Sequence, residues 1–445
     1  MSNSRTPQIE GIDNRRQLLY LLIVLGICLG VGKFVALTGV VGLAAGIGVF
    51  LASVWAYFAT KAPLVLTLLV PASLLGLLLP QTGEIAIEVG LAGTAAWWAI
   101  ASFSQGNASP AAIASLCVPL LWAIFLINKN VPDLHTGLLG LRKATLPFIG
   151  LALGILWPYK SRAQATKVIP WILLSAGILN LFIHLGAPNI EEGFVRAGNV
   201  YTSLFAGVHR MQGLYSGPFH VALLGVFLAL FGWQQIIGRS MGRGLPFVVV
   251  GLLLTYFSEV RSGYIVIIAG VILLGVFGGT VQAGKWTRIG AQLALLACGL
   301  AIVVAFASPK DTAFTSISGL SHEQRALGRL QQWSLAGTLI VASPVYGWGP
   351  GSAGSTLSQQ FENHEHVTSH DSIITFFVEG GVLGLSLVLL AGWLTLKSTR
   401  GWLRVPHPGI AAAIALLGMS LTNNIEEAAP ICVILAILVG LRAEG

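Results

Sequence analysis

His364, His366 and His370 fall close together, with Glu362, Glu365 and Asp371 beside them. Imidazoles and carboxylates at this density support two chemistries. His366 and His370 stand one helical turn apart, a spacing that suits a metal ion. Alternatively, one histidine is a general base and its neighbours are polar loop residues. His370 opens an apolar stretch, and a partly desolvated imidazole there suits a base working near neutral pH. His364 and His366 lie further out and read as loop residues.

A second set is cationic. Arg210 opens the segment RMQGLYSGPFH, Arg261 lies in EVRSG and Arg329 in RLQQW. A planar guanidinium stays charged and grips phosphate through two parallel hydrogen bonds. Gly217-Pro218 starts a helix, and a helix N-terminus beside Arg210 and Tyr215 is a ready phosphate site. Contact with lipid headgroups is the simpler account of Arg210. Glu259 and Arg261 either pair with each other, or Arg261 meets an anion. Gly347, Gly349 and Gly351 alternate through YGWGPG. Such a turn can bring backbone close to a ligand, but a tight loop between helices explains it as well. Cys28, Cys117, Cys298 and Cys432 all lie in apolar stretches without a CxxC pair and read as buried thiols.

The elements that position these groups follow from composition. The chain has 445 residues, 55% of them hydrophobic and only 9% charged. A soluble domain carries roughly 25% charged residues, so a soluble fold is excluded. The expectation is an all-α polytopic membrane protein with about 12–14 spans. Apolar runs fall near 18–35, 37–59, 63–80, 86–103, 111–128, 137–158, 168–186, 217–238, 245–260, 263–282, 289–308, 372–396, 409–422 and 430–442. The polar lead-in before the first run has no small-residue cleavage site and reads as a cytoplasmic tail, 1–17. Residues 18–308 are spans with short loops and an outer loop near 187–216. Residues 309–371 form one long outer loop, and 372–445 the last spans. Within the long loop, LGRLQQWSLAGTLIVASP has the apolar spacing of an amphipathic helix lying on the outer surface.

Charge orients the chain. Segments on the side of the termini hold 15 of the 25 basic residues but only Glu10, Asp13 and Glu444 of the 17 acidic ones. Both termini are therefore expected in the cytoplasm. The net charge of +8 is then a topology signal; no basic arm or run suits nucleic acid. Arg210, Arg261 and Arg329 run against this sorting, and an anion on the outer side would account for them.

Four ordered motifs resemble the O-antigen ligase and O-antigen polymerase superfamily of bacterial inner membranes. R-x-x-G-x-x-x-x-P appears as Arg210, Gly213 and Pro218. A polar turn between spans appears as Glu259-Val260-Arg261-Ser262-Gly263, with Val where the family often has Ser. R-x-x-x-W followed by P-x-x-G-x-G-x-G appears as Arg329, Trp333, Pro344, Gly347, Gly349 and Gly351. The fourth pairs His370 with Glu379, Gly381 and Gly384, with Asp371 where Asn is usual.

The resemblance implies a GT-C-like, metal-independent and inverting glycosyltransferase without cofactor. It implies a donor glycan on undecaprenyl diphosphate and, for a ligase, lipid A-core as acceptor in lipopolysaccharide biosynthesis. A polymerase would take a second lipid-linked glycan. In either case the active site is periplasmic. The diphosphate is already a good leaving group, so the site must supply positive charge and a base. The expected roles are diphosphate binding by Arg210 and Arg261, and catalysis by His370. Arg329, Trp333 and Tyr215 are expected to bind substrate, although Trp333 also suits an interfacial anchor. Gly347, Gly349, Gly351 and Glu379 are expected to form a structural loop, and no metal is expected. A lipid-linked glycan transporter predicts ionisable residues at mid-membrane and similar halves; neither is visible. A metal-dependent hydrolase would use the histidine cluster.

Overall fold

A computed structural model describes residues 81–106, 109–131, 133–186, 188, 191, 204–205, 208–213, 215, 217–238, 240–277, 324–354, 371–399, 407–425 and 428–443. The expected spans near 18–35, 37–59, 63–80 and 289–308 lie outside these residues. So do His364, His366, His370, Glu362 and Glu365.

The described chain is helical: α1 (Gln81–Ser104), α2 (Pro110–Phe125), α3 (Leu134–Ile155), α4 (Tyr159–Gly186), α5 (Pro218–Ile237), α6 (Met241–Ser258), α7 (Arg261–Phe277), α8 (Gln324–Ala342), α9 (Ser372–Ser398), α10 (Pro408–Ser420) and α11 (Ala429–Gly440). Between α4 and α5 a two-residue antiparallel ribbon pairs β1 (Leu204–Phe205) with β2 (Val208–His209). Five stretches are long and apolar enough to cross a membrane: Thr136–Ile155, Ser161–Gly186, Pro218–Ile237, Met241–Ser258 and Ser372–Ser398. Pro110–Phe125, Arg261–Gly275, Pro408–Ser420 and Pro430–Gly440 are shorter apolar helices. The chain is an all-α polytopic membrane protein.

Local chemistry sets the helix starts. Proline occupies the first turn of α2, α5, α10 and α11, where its missing N–H costs nothing. Asp133 caps α3 by accepting from the Thr136 amide at 2.8 Å and its hydroxyl at 2.6 Å. Asp371 caps α9 by accepting from the amides of Ile373 and Ile374, at 2.8 and 3.1 Å.

α4 starts earlier than the apolar run does. Tyr159 opens it, so Lys160, Arg162 and Lys167 ride on the helix instead of a loop. The reason is visible at Arg162. Its guanidinium donates to the carbonyls of Ile155 and Trp157 at the end of α3 and of Ala443 after α11, at 2.7, 3.2 and 2.8 Å. A cation satisfies helix C-terminal carbonyls that hydropathy alone leaves bare.

α5 is the central element and is buried along nearly its whole length. It packs on α6 through small residues. A Cβ on Gly251 would meet the backbone of Ala229 and Gly225, and one on Gly232 would meet the Gly244 carbonyl. Close backbone approach of this kind is how helices associate where lipid removes the hydrophobic drive. α4, α7, α10 and α11 surround α5, α3 joins α11, and α2 joins α3 to α9. Exposed Trp97, Ile124, Phe182, Leu389 and Trp393 lie on the outside of this bundle.

Candidate functional site

Arg210 follows the β-ribbon and is buried. Two bonds pin it to the end of α6. The Arg210 Nε donates to the Ser258 carbonyl at 3.0 Å, and the next amide, Met211, donates to the Phe257 carbonyl at 2.8 Å. Burial pulls the guanidinium below its usual pKa, and the nearby Glu259 carboxylate partly offsets this. Glu259 itself holds a left-handed φ of 52°, alone among the described non-glycine residues. That conformation closes α6 and lets α7 begin at once with Arg261, which is exposed. The turn thus brings Arg210 and Arg261, far apart in sequence, to one end of the bundle.

The Arg210 segment is held from behind by an anion. The Glu191 carboxylate is fully buried. One oxygen accepts from the amides of Gln212 and Gly213, both at 2.6 Å, and the other meets His184 Nδ1 at 2.7 Å. Gly213 turns with φ of 57°, and a Cβ there would strike the Asn180 side chain. Tyr215 is 1% exposed, stacks on His220 with ring centroids 6.0 Å apart and has its hydroxyl on Asn180. Desolvation raises its pKa. Its ring belongs to the interior wall of this end.

α9 enters the same end. Its cap, Asp371, is half-buried, and desolvation outweighs the two amide hydrogen bonds to raise its pKa. The next residue, Ser372, donates to the Asn423 carbonyl at 3.0 Å and accepts from the Ile425 amide at 3.0 Å. Thr375 donates to Asn424 Oδ1 at 3.2 Å. Asn423 Nδ2 donates to Ser262 Oγ at 2.9 Å, one residue from Arg261. The α10–α11 turn therefore joins the starts of α7 and α9. His370 lies outside the described residues, directly before Asp371.

The glycine turn sits elsewhere on α9. α9 is kinked at Gly381, with φ 61° and ψ −161°. The turn supplies partners to the kink. The amides of Trp348 and Gly349 donate to the carbonyls of Val378 and Glu379 at 2.8 and 2.9 Å, and Gly351 N donates to Glu379 Oε1 at 2.9 Å. In return Val382 N donates to the Pro344 carbonyl at 2.8 Å. The other Glu379 oxygen accepts from Trp122 Nε1 at 3.0 Å.

α8 spans Gln324–Ala342 and packs on α9 through Ala336 and Leu339, which share a core with Trp348, Ala353 and Val378. The turn after α8 binds α9 near Val382, and Ile374, in the first turn of α9, packs against the same core. Arg329 and Trp333 lie on earlier turns of α8 and are exposed.

Glu191, Asn423 and Asn424 escaped the sequence reading. The signal for the asparagines was present, as the polar triplet Thr422-Asn423-Asn424 between two apolar runs. Glu191 is one of two adjacent glutamates and carries no mark of its own. Among the described residues no group of three or more metal-ligating side chains is found; the histidine cluster is not among them.

No curated protein matches the chain. Residues 246–389 match the family model described as O-antigen ligase. That stretch contains Arg261, Arg329, Trp333, the glycine turn, His370 and Glu379, while Arg210 precedes it and Asn423 follows it. Over this third of its length, the chain is similar to the O-antigen ligase family.

Proposed function

We propose that the protein is a bacterial inner-membrane glycosyltransferase that moves a glycan from undecaprenyl diphosphate to a hydroxyl of lipid A-core on the periplasmic side. One observation carries the reading. A buried, pinned Arg210 and an exposed Arg261 lie at the bundle end where α9 begins, two residues after His370. Two guanidiniums, one of them buried, supply the charge that a departing diphosphate needs. His370 accepts the proton of the acceptor hydroxyl. The acceptor oxygen then bonds to the anomeric carbon as the bond to the diphosphate oxygen breaks, which inverts that carbon. Undecaprenyl diphosphate leaves with the bonding electrons. No step calls on a metal. Arg329 and Trp333 hold the acceptor from α8. Tyr215, enclosed in the interior, serves by packing.

A glycan profile of a deletion strain, complemented with single variants, tests this. Loss of long surface chains with accumulation of lipid-linked polymer is the expected result. A surface carrying single repeat units would instead make the protein a polymerase. Arg210→Ala, Arg261→Ala and His370→Ala should each fail to complement while inserting normally; complementation by all three would end the transferase reading.

A further inference from the structure

We propose that Asn423 is a positioning residue that fixes the start of α7, which carries the diphosphate-binding arginine, against the start of α9, which follows the catalytic base in sequence. The inference rests on the functional reading above. Two helix starts converge on this residue. Asn423 Nδ2 donates to Ser262 Oγ at 2.9 Å, which ties it to the first turn of α7, the turn that Arg261 opens. Its own carbonyl accepts from Ser372 Oγ at 3.0 Å, which ties it to the first turn of α9, two residues after His370. The Ser372 hydroxyl in turn accepts from the Ile425 amide at 3.0 Å. Asn423 thus bridges α7 and α9, whose direct neighbours are otherwise different helices.

The site is suited to a fixed spacer. Asn423 is 2% exposed, and its amide is braced by the Thr422 hydroxyl at 2.9 Å and the Met419 carbonyl at 3.4 Å on its own turn. Thr375 and Asn424 add a parallel tie at 3.2 Å. A buried residue held through its side-chain nitrogen on one side and its backbone carbonyl on the other transmits position with little slack. Displacement transfer needs the acceptor oxygen, the anomeric carbon and the departing diphosphate oxygen in one line, with the base in reach of the acceptor hydroxyl. An error of about 1 Å in such an alignment can cost about 100-fold in rate. Asn423 lies beyond residues 246–389, so the matched family stretch does not contain this tie.

The test compares Asn423→Leu, Ser262→Ala and the double variant in proteoliposomes. The donor is a synthetic undecaprenyl diphosphate glycan and the acceptor is lipid A-core. Leucine keeps the side-chain size and deletes the side-chain bond to Ser262, while the backbone bond from Ser372 remains. Asn423→Leu should lower kcat by about 10–100-fold and leave the donor KM within about twofold. Ser262→Ala should lower kcat in the same direction, and the double variant should be no slower than Asn423→Leu alone, because both cut one tie. Ser262→Ala removes a single hydroxyl from a half-buried site and keeps the test available if the leucine variant folds poorly. A wild-type kcat, a change confined to KM, or fully multiplicative losses would each overturn the assignment. Arg261→Ala and His370→Ala run alongside separate the two levels. If those two are inactive and Asn423→Leu is normal, only the positioning role falls; if those two are fully active, the transferase reading falls first.

Discussion

Glu191 shows how one side chain decides the shape of the site. Burial alone would push its carboxyl pKa upward. The hydrogen bonds from His184 and from the Gly213 and Gln212 amides, with the charge of His184, outweigh that and hold it below the ordinary carboxylate range. The sign of the consequence follows. A group whose folded pKa is depressed stabilises the fold above its unfolded value, near 4.3 for glutamate, and that contribution is lost as pH falls through the lower folded value. Glu191→Gln keeps the shape but replaces a charged acceptor. It should lower thermal stability at pH 7 by about 1–3 kcal/mol. The gap to the wild type should begin to narrow as pH falls below the unfolded value of about 4.3 and go on narrowing at lower pH. An unchanged gap across that range would mean the charge is irrelevant. Residues such as Arg210 were legible because an arginine on the acidic side of a membrane protein needs a reason. Glu191 was not, because its partners stand 21 and 22 residues away and its charge agrees with its side.

The kinked α9 makes the corresponding argument for an element. A break inside a spanning helix frees backbone groups that lipid cannot satisfy. Here the turn from Pro344 to Gly351 satisfies them, and it carries α8 with it. Gly381 holds φ 61° and ψ −161°, where side chains are strained, and a Cβ would meet the Val345 carbonyl. Gly381→Ala should therefore cost about 1–3 kcal/mol or more for the backbone alone, and it should release α8, with Arg329 and Trp333, from its seat. Gly337 on α8 gives the contrast: nothing lies within 4 Å of an added Cβ. Gly337→Ala should raise stability by about 0.5–1 kcal/mol. Detergent-solubilised melting curves check both, and a Gly381→Ala protein as stable as wild type would mean the kink is not required. Hydropathy located the described spans well, because apolar length is what a bilayer demands. It also placed the amphipathic α8. It could not show the kink, since Glu379-Gly380-Gly381 lies inside an uninterrupted apolar run. Nor could it show that α4 begins at Tyr159, since Arg162 is retained there by carbonyls from two other segments.

At the scale of the whole molecule, the helix directions divide the described residues into two ends. The ends of α4, α6 and α10 and the starts of α5, α7, α9 and α11 share one end with Arg210, Asp371 and Asn423. The starts of α4, α6 and α10 and the ends of α3, α9 and α11 share the other, with Arg162, Lys167, Arg243, Lys397 and Arg442. The second end is strongly basic and the first is not. The charge rule leads one to expect the basic end in the cytoplasm, and the proposed transfer requires the arginine site to open on the periplasm. Surface positions let this be measured. Tyr159 is 88% exposed at the basic end, and Leu421 is 55% exposed at the end of α10, on the arginine side. In a variant whose four native cysteines are replaced by alanine, a cysteine at 421 should react with a membrane-impermeant maleimide in intact spheroplasts. A cysteine at 159 should react only after permeabilisation. The reverse pattern would turn the site toward the cytoplasm, away from a donor on the outer leaflet, and the proposed transfer could not occur there.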